Sequence, residues 1–271
     1  MTQTTTRQAK SRVELYALPG RERAVAALGC CVHQRIQRHA HRSYVFGIIG
    51  PGGRRMELDN GLLELAPGSV FALHPGQVHA CAPLCGQAQD YRSLALDPAL
   101  LRQELGLTGP AFGVLLPQSL RQPLARVFQL LRCSAPAPEV RAALSSFLQS
   151  LAPLARPCPA GRAEPLHPAV AKALVIMEAE PDQPLTLARL SDRVHLSPHH
   201  LQRLFRRQMG LSPQEHLTAL RVSRAAELSR QGVPLAWAAA LCGFCDQSHL
   251  SRAFKRVMGV APGSYGPAGR T

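Results

Sequence analysis

A fourteen-residue pattern occurs twice in this chain, and its spacing limits what the last third can fold into. His200-Leu201-Gln202-Arg203-Leu204-Phe205-Arg206-Arg207-Gln208-Met209-Gly210-Leu211-Ser212-Pro213 lies 49 residues before His249-Leu250-Ser251-Arg252-Ala253-Phe254-Lys255-Arg256-Val257-Met258-Gly259-Val260-Ala261-Pro262, and eight of the fourteen positions are identical. A fixed period of this kind marks duplicated structural units. In the first unit Leu187, Leu190 and Val194 share one face of a helix over Leu185–Val194, and His195-Leu196 is a turn. Ser197 is the N-cap of the next helix, Pro198 stands at its first position and Gly210 ends it. Leu201, Leu204 and Phe205 have helical spacing and face a core. In the second unit Leu235–Leu241, with the only tryptophan (Trp237), is the first helix. Cys242-Gly243-Phe244-Cys245 is the turn, with Gly243 free to take positive φ, and Asp246 caps the helix whose inward residues are Leu250, Ala253, Phe254 and Val257. Between the units, Ser212-Pro213-Gln214-Glu215 is a capping box that opens a helix to about Arg230. That helix would hold the two units at a fixed separation.

Helix, short turn and a polar, basic second helix make a helix-turn-helix pattern. The outward residues are His199, Gln202, Arg203, Arg206 and Arg207 in the first unit, and Gln247, Ser248, His249, Arg252, Lys255 and Arg256 in the second. Gln202 and Gln247 suit adenine, Arg203 and Arg252 suit guanine, and Arg206, Arg207, Lys255 and Arg256 suit phosphates. Two rigidly joined reading helices imply a site covering two successive major-groove segments, about 34–36 Å apart on B-DNA. The net charge of +14 agrees with an anionic partner without locating it. Of 31 basic residues only Lys10, Lys172 and Lys255 are lysines, which leaves mostly forked guanidinium donors.

The first half has a different texture. Ala24–Val32, Ser43–Ile49, Leu62–Leu65, Ser69–Leu73 and Tyr91–Leu96 read as strands of an antiparallel barrel or sandwich, with turns at 50–53, 59–61, 67–68 and 75–76. Asp97-Pro98 starts a helix to Leu105, and Ser119–Cys133 and Pro138–Leu154 have helical apolar spacing. The two longer helices pack either on the barrel alone or also on a second copy of the chain. The prolines and glycine of Arg156–Pro168 form a linker. The division is therefore a flexible arm over 1–23, a barrel over 24–97, a helical dimerisation or packing segment over 98–156, a linker over 157–166 and a DNA-binding domain over 167–271, with helix-turn-helix units at about 185–209 and 234–258.

Other classes fall away. No run of about 18 apolar residues is present, and Met1–Arg12 is polar with no signal-like core, so a cytoplasmic protein is expected. The eight cysteines are irregularly spaced and do not read as a disulfide framework, and Cys242/Cys245 read as turn residues rather than a redox pair. No Ser-His-Asp spacing, phosphate loop or paired carboxylates suggest catalysis, and an enzyme is not expected.

Residues from about 170 to 266 resemble the DNA-binding domain of AraC/XylS-type transcription regulators. The resemblance lies in Leu235-Ala236, Gly243-Phe244, Ser248-His249-Leu250-Ser251-Arg252-Ala253-Phe254-Lys255-Arg256, Gly259, Pro262 and Tyr265. It implies a seven-helix domain with two helix-turn-helix units in adjacent major grooves, an activator role and RNA polymerase as a partner. His199, Gln202 and Arg203, with Gln247, Ser248, His249 and Arg252, correspond to the family's base-facing positions. The first half is similar to the cupin-like sensing domains of such regulators, through His39-Ala40-His41, the turn at 50–53, Pro67-Gly68 and Pro75-Gly76-Gln77-Val78-His79. In metal-binding cupins a Glu follows the paired histidines; that place falls here on Val45 or Phe46, leaving His39, His41 and His79, with Cys81 or His74 as further donors. Three histidines suffice for a divalent ion, and they equally suit an organic effector pocket, to which Arg38, Arg42, Tyr44 and Tyr91 would add polar contacts. No cofactor is required, and a divalent metal stays open. The expectation is an effector-responsive, homodimeric DNA-binding regulator. The alternatives are a metal-binding cupin sensor or enzyme fused to a DNA-binding module, and a constitutive binder whose β domain only dimerises.

Overall fold

The computed structural model describes residues 10–106, 109–156 and 166–267. The first nine residues of the expected arm and residues 157–165 of the expected linker lie outside these.

Alternation of apolar and polar residues builds the first half. Its strands are β1 (Arg12–Leu18), β2 (Arg21–Val32), β3 (Ile36–His39), β4 (Tyr44–Ile49), β5 (Arg54–Leu58), β6 (Gly61–Leu65), β7 (Val70–Leu73), β8 (His79–Pro83), β9 (Gln89–Leu96) and the short β10 (Leu115–Leu116). They form two sheets, one in the order β10-β7-β4-β9-β2-β1 and one in the order β3-β8-β5-β6. The five strands read from sequence are present, with ends shifted by up to three residues. The flexible arm over 1–23 is corrected for its described part: Val13 and Leu15 are buried on one face of β1, Leu18 is buried in the core under the helices after a register shift, and the strand pairs with β2. Strands β3, β5 and β8 escape a sequence reading because they are short and half polar.

The larger sheet has two buried faces. On β4, Val45 and Ile49 point between the sheets with Met56, Leu65, Phe71, Leu73 and Cys81. Tyr44, Phe46 and Ile48 point the other way, under three helices: α1 (Pro98–Leu105), α2 (Arg121–Arg132) and α3 (Ala137–Leu151). Leu124, Val127, Phe128, Phe147 and Leu151 are all fully buried there. At about 25 cal/mol per Å² of apolar surface, each such side chain stabilises the fold by about 1.5–3 kcal/mol. The apolar faces of α2 and α3 are thus used within the chain, and no large apolar side chain of either is exposed. A surplus apolar face on these helices, the sequence argument for dimerisation, is not there.

The second half is helical: α4 (Pro168–Ala179), α5 (Leu187–Arg193), α6 (Pro198–Met209), α7 (Pro213–Arg230), α8 (Leu235–Leu241) and α9 (Gln247–Met258). These six α-helices and a 3-10 turn at Pro262–Ser264 replace the seven helices implied by resemblance, among the described residues. The caps follow the sequence: Ser197 accepts from His200 N–H, Asp246 from His249 N–H, and Ser212 and Glu215 close a reciprocal capping box. Two small cores result, one around Leu201, Leu204 and Phe205 and one around Leu250, Ala253 and Phe254.

The halves are docked. After α9, strand β11 (Tyr265–Pro267) pairs in parallel with β1 and extends the large sheet to seven strands. Val260 joins Val13, Leu15 and Val32 in an apolar cluster. The described part of the DNA-binding region therefore ends inside the β domain's sheet, an arrangement the domain division at 157–166 does not anticipate.

Candidate functional site

The two second helices present matched basic faces. His199, Gln202, Arg203, Arg206 and Arg207 on α6 are exposed, as are Gln247, Ser248, Arg252, Lys255 and Arg256 on α9. The 49-residue register pairs Arg203 with Arg252, Arg206 with Lys255 and Arg207 with Arg256. Two expected residues are partly engaged elsewhere. Arg206 reaches Glu215 of the capping box at 3.5 Å, and the His249 ring stands edge-on to Phe244 at 5.2 Å and is half-buried. The register also places half-buried Ser251 opposite Gln202, a position the sequence reading did not select. The turns match as well: His195 and Gly243 both have positive φ, +58° and +71°. The second turn is one residue longer, with Cys245 inserted before the cap. Cys242 is buried and Cys245 exposed.

The β domain gathers His39, His41 and His79 as expected. His39 ends β3, His79 begins β8 and the two are paired in register; His41 follows in the β3–β4 loop. One nitrogen of each lies within 4.8 Å of the others. The outer nitrogens are tied down: His39 Nδ1 donates to Gln37 O at 2.7 Å and His79 Nδ1 to Gln77 O at 3.0 Å. Both Nε2 lone pairs are left for the cluster, and His39 Nε2 lies 3.2 Å from His41 Nε2. Burial pushes the imidazoles of His39 and His79 below their usual range and that of His41 down to about 3, so all three are neutral at pH 7. Neutral imidazole nitrogens are the donor set a divalent transition metal takes, and for His39 and His79 the outer hydrogen bonds fix the tautomer that offers Nε2.

The other expected partners are not there. His74 accepts the Phe112 N–H at 2.8 Å and turns its second nitrogen to Gln77. Tyr44 faces the helices, donates to Pro110 O at 2.9 Å and stacks near Phe46. It falls on the wrong side because residues alternate faces along β4. Tyr91 lies against Gly29 and beneath the Arg54 guanidinium, 4.2 Å from its ring centre. Cys81 is a buried thiol beside Arg54, pushed up by burial.

Arg54 is the residue the sequence reading missed. It is 5% exposed between the sheets, and its Nε donates to Gln89 Oε1 at 2.8 Å. Among the described residues no carboxylate pairs with it, and its Nη2 and Gln89 Nε2 have no hydrogen-bond partner. Its charge is felt at His39 and His79. The only sequence signal is an arginine at the inward position of a five-residue strand.

Comparisons with known proteins agree with this architecture. Residues 29–152 match the family described as AraC-like ligand binding domain, and residues 190–267 match a helix-turn-helix domain. YbfI of Bacillus subtilis, described as an uncharacterised HTH-type transcriptional regulator, is 29% identical over 234 residues, 81% of this chain and 82% of its own length. A putative AraC-like transcription regulator of Streptomyces antibioticus is 38% identical over 107 residues, 39% of this chain and 34% of its own. The crystal structure of ToxT from Vibrio cholerae superposes with a TM-score of 0.55 over 94% of this chain and 97% of its own, at 14% identity, and shares the two-domain fold. This chain belongs to the AraC family of transcription regulators, with a ligand-binding β domain ahead of a double helix-turn-helix domain.

Proposed function

We propose that this protein is an effector-responsive activator that binds promoter DNA as a homodimer in the cytoplasm and recruits RNA polymerase. Its base readers are Gln202 and Arg203 on α6 and Gln247, Ser248 and Arg252 on α9, with His199 and His249 at the margins and Arg206, Arg207, Lys255 and Arg256 on phosphates. The observation that carries the reading is the pair of capped, exposed basic helices that repeat Arg203 at Arg252. Family membership supports regulation rather than catalysis. The small-molecule effector would sit at the His39, His41 and His79 end of the β domain; the match of residues 29–152 to an AraC-like ligand binding domain supports a ligand in this half, and a structure of the fold relative ToxT is bound to an unsaturated fatty acid. A homodimer formed through α2 and α3 would meet through their outward polar positions, such as Arg126, Gln129 and Arg141.

The test begins by selecting duplexes from a random pool with the full chain. Arg203→Ala and Arg252→Ala are each expected to weaken binding to the selected site by about 1–3 kcal/mol and to relax the sequence read at one position. Unchanged affinity in both variants sinks the assignment. A constitutive binder would show no ligand-induced rise in melting temperature over a metabolite panel.

A further inference from the structure

We propose that His39, His41 and His79 hold one divalent transition-metal ion and that its binding is felt by both reading helices. The proposal rests on reading the β domain as the sensing half, and it names the ligand class and the route of regulation.

Geometry carries the first part. Three neutral nitrogens bound tetrahedrally to zinc at about 2.0–2.1 Å lie about 3.3 Å from one another. His39 Nε2 and His41 Nε2 are already 3.2 Å apart, and the whole trio lies within 4.8 Å. His39 Nε2 is an acceptor because Nδ1 carries that ring's proton, so without metal His41 Nε2 donates to it, whereas a metal takes the lone pairs of both rings. The backbone carbonyls of Gln37 and Gln77 supply the outer hydrogen bonds that orient metal-bound histidines. Arg54 adds a positive charge that is felt at His39 and His79.

The second part comes from what touches these strands. Each histidine has a near neighbour pressed on the DNA-binding domain. Val78, next to His79, meets Gly210, the C-cap of α6: a Cβ there would lie 3.1 Å from the valine side chain. Ile36, at the other end of β3 from His39, meets Gly259, the C-cap of α9, where a Cβ would lie 2.9 Å from Cγ1. Arg42, next to His41, forms an ion pair with Glu178 of α4. Both reading helices therefore rest, by their C-cap glycines, on β3 and on the residue that leads into β8, the segments that carry His39 and His79. Drawing His41 and His79 together shifts the surface on which they sit.

The experiment uses the full chain freed of metal by chelation. Zn2+ titration is expected to saturate at one equivalent, and Co2+ to give the visible spectrum of a tetrahedral nitrogen site. His41→Ala, in a loop, and His79→Ala should each lower affinity by at least a hundredfold while the metal-free variants select the same DNA. Zn2+ should change affinity for a selected duplex at least threefold, and the duplex should change Zn2+ affinity by the same factor, since coupling is reciprocal. Glu178→Gln should bind Zn2+ as the wild type does and show a reduced coupling factor. Failure of the wild type to take up one equivalent, or uptake that survives both histidine variants, overturns the site. Normal uptake with unchanged DNA affinity overturns the coupling. Neither result touches the Arg203 and Arg252 tests, which judge the DNA reading separately.

Discussion

Replacing Gly243 by alanine should destabilise the chain by about 2–5 kcal/mol. Gly243 sits in the turn of the second helix-turn-helix unit with φ +71°. An L residue in that region costs about 1–2 kcal/mol. Space adds to this, because a Cβ at Gly243 would stand 2.4 Å from the Asp182 carbonyl oxygen. That carbonyl cannot retreat freely: Arg221 donates from Nε to Pro181 O at 2.6 Å and from Nη2 to Gln183 O at 2.8 Å, pinning both neighbours. Moving the loop adds about 1–3 kcal/mol, the usual range for overpacking. The equivalent turn provides an internal control. His195 has φ +58° and its side chain is exposed, so His195→Gly removes strain and loses no contact. Against the extra freedom glycine gives the unfolded chain, the net effect is a gain of up to about 1 kcal/mol. Urea unfolding of the full chain, followed by circular dichroism, reads both. If alanine at 243 costs under about 1 kcal/mol, or glycine at 195 destabilises by more than that, the account of the two turns is wrong.

Other perturbations separate further parts of the structure. Arg207→Ala and Arg256→Ala, at phosphate-facing positions, should weaken binding to all duplexes alike and each lower the salt dependence by about one counterion, measured as affinity against salt. Because Arg54 is buried without an acid partner, Arg54→Met with Gln89→Leu should raise stability by about 1–4 kcal/mol in urea unfolding; a loss would show that the pair is satisfied in the folded chain. The buried phenol of Tyr265 titrates well above its usual range, pushed up first by burial and then by Tyr91. Its contribution is fully present below about pH 10, the unfolded value, and is lost as pH rises beyond it, so Tyr265→Phe should flatten the alkaline limb of a stability profile.

What could be read from the sequence divides along physical lines. Ser197, Ser212 and Asp246 announce their helices because a cap is a local transaction between one side chain and the next turn. Helix α4 has the same signal in His167-Pro168, where the histidine accepts the Ala169 N–H, but the surrounding prolines read as linker. The three histidines were accessible because their spacing follows one strand end and the start of another. Tyr44 and Tyr91 misled because closeness in sequence says nothing about faces: Tyr44 turns to the helices while His41 turns between the sheets. Arg54 and Gln89 meet 35 residues apart across two sheets, a pairing that only tertiary structure creates. The docking of Gly210 and Gly259 on the β domain is equally non-local, since both glycines already have a sufficient reason to exist as helix caps.

The pairing of β11 with β1 has a consequence for anyone dividing this protein. Val13 to Leu15 find their parallel partners in Tyr265 to Pro267, about 250 residues later. A fragment cut at the linker keeps every residue of the β domain and loses this strand. The backbone groups of β1 that it occupies become a bare sheet edge, open to the same edge of another copy. Self-association of such a fragment would therefore report a missing strand, and the oligomeric state of the regulator has to be measured on a chain that still contains residue 267.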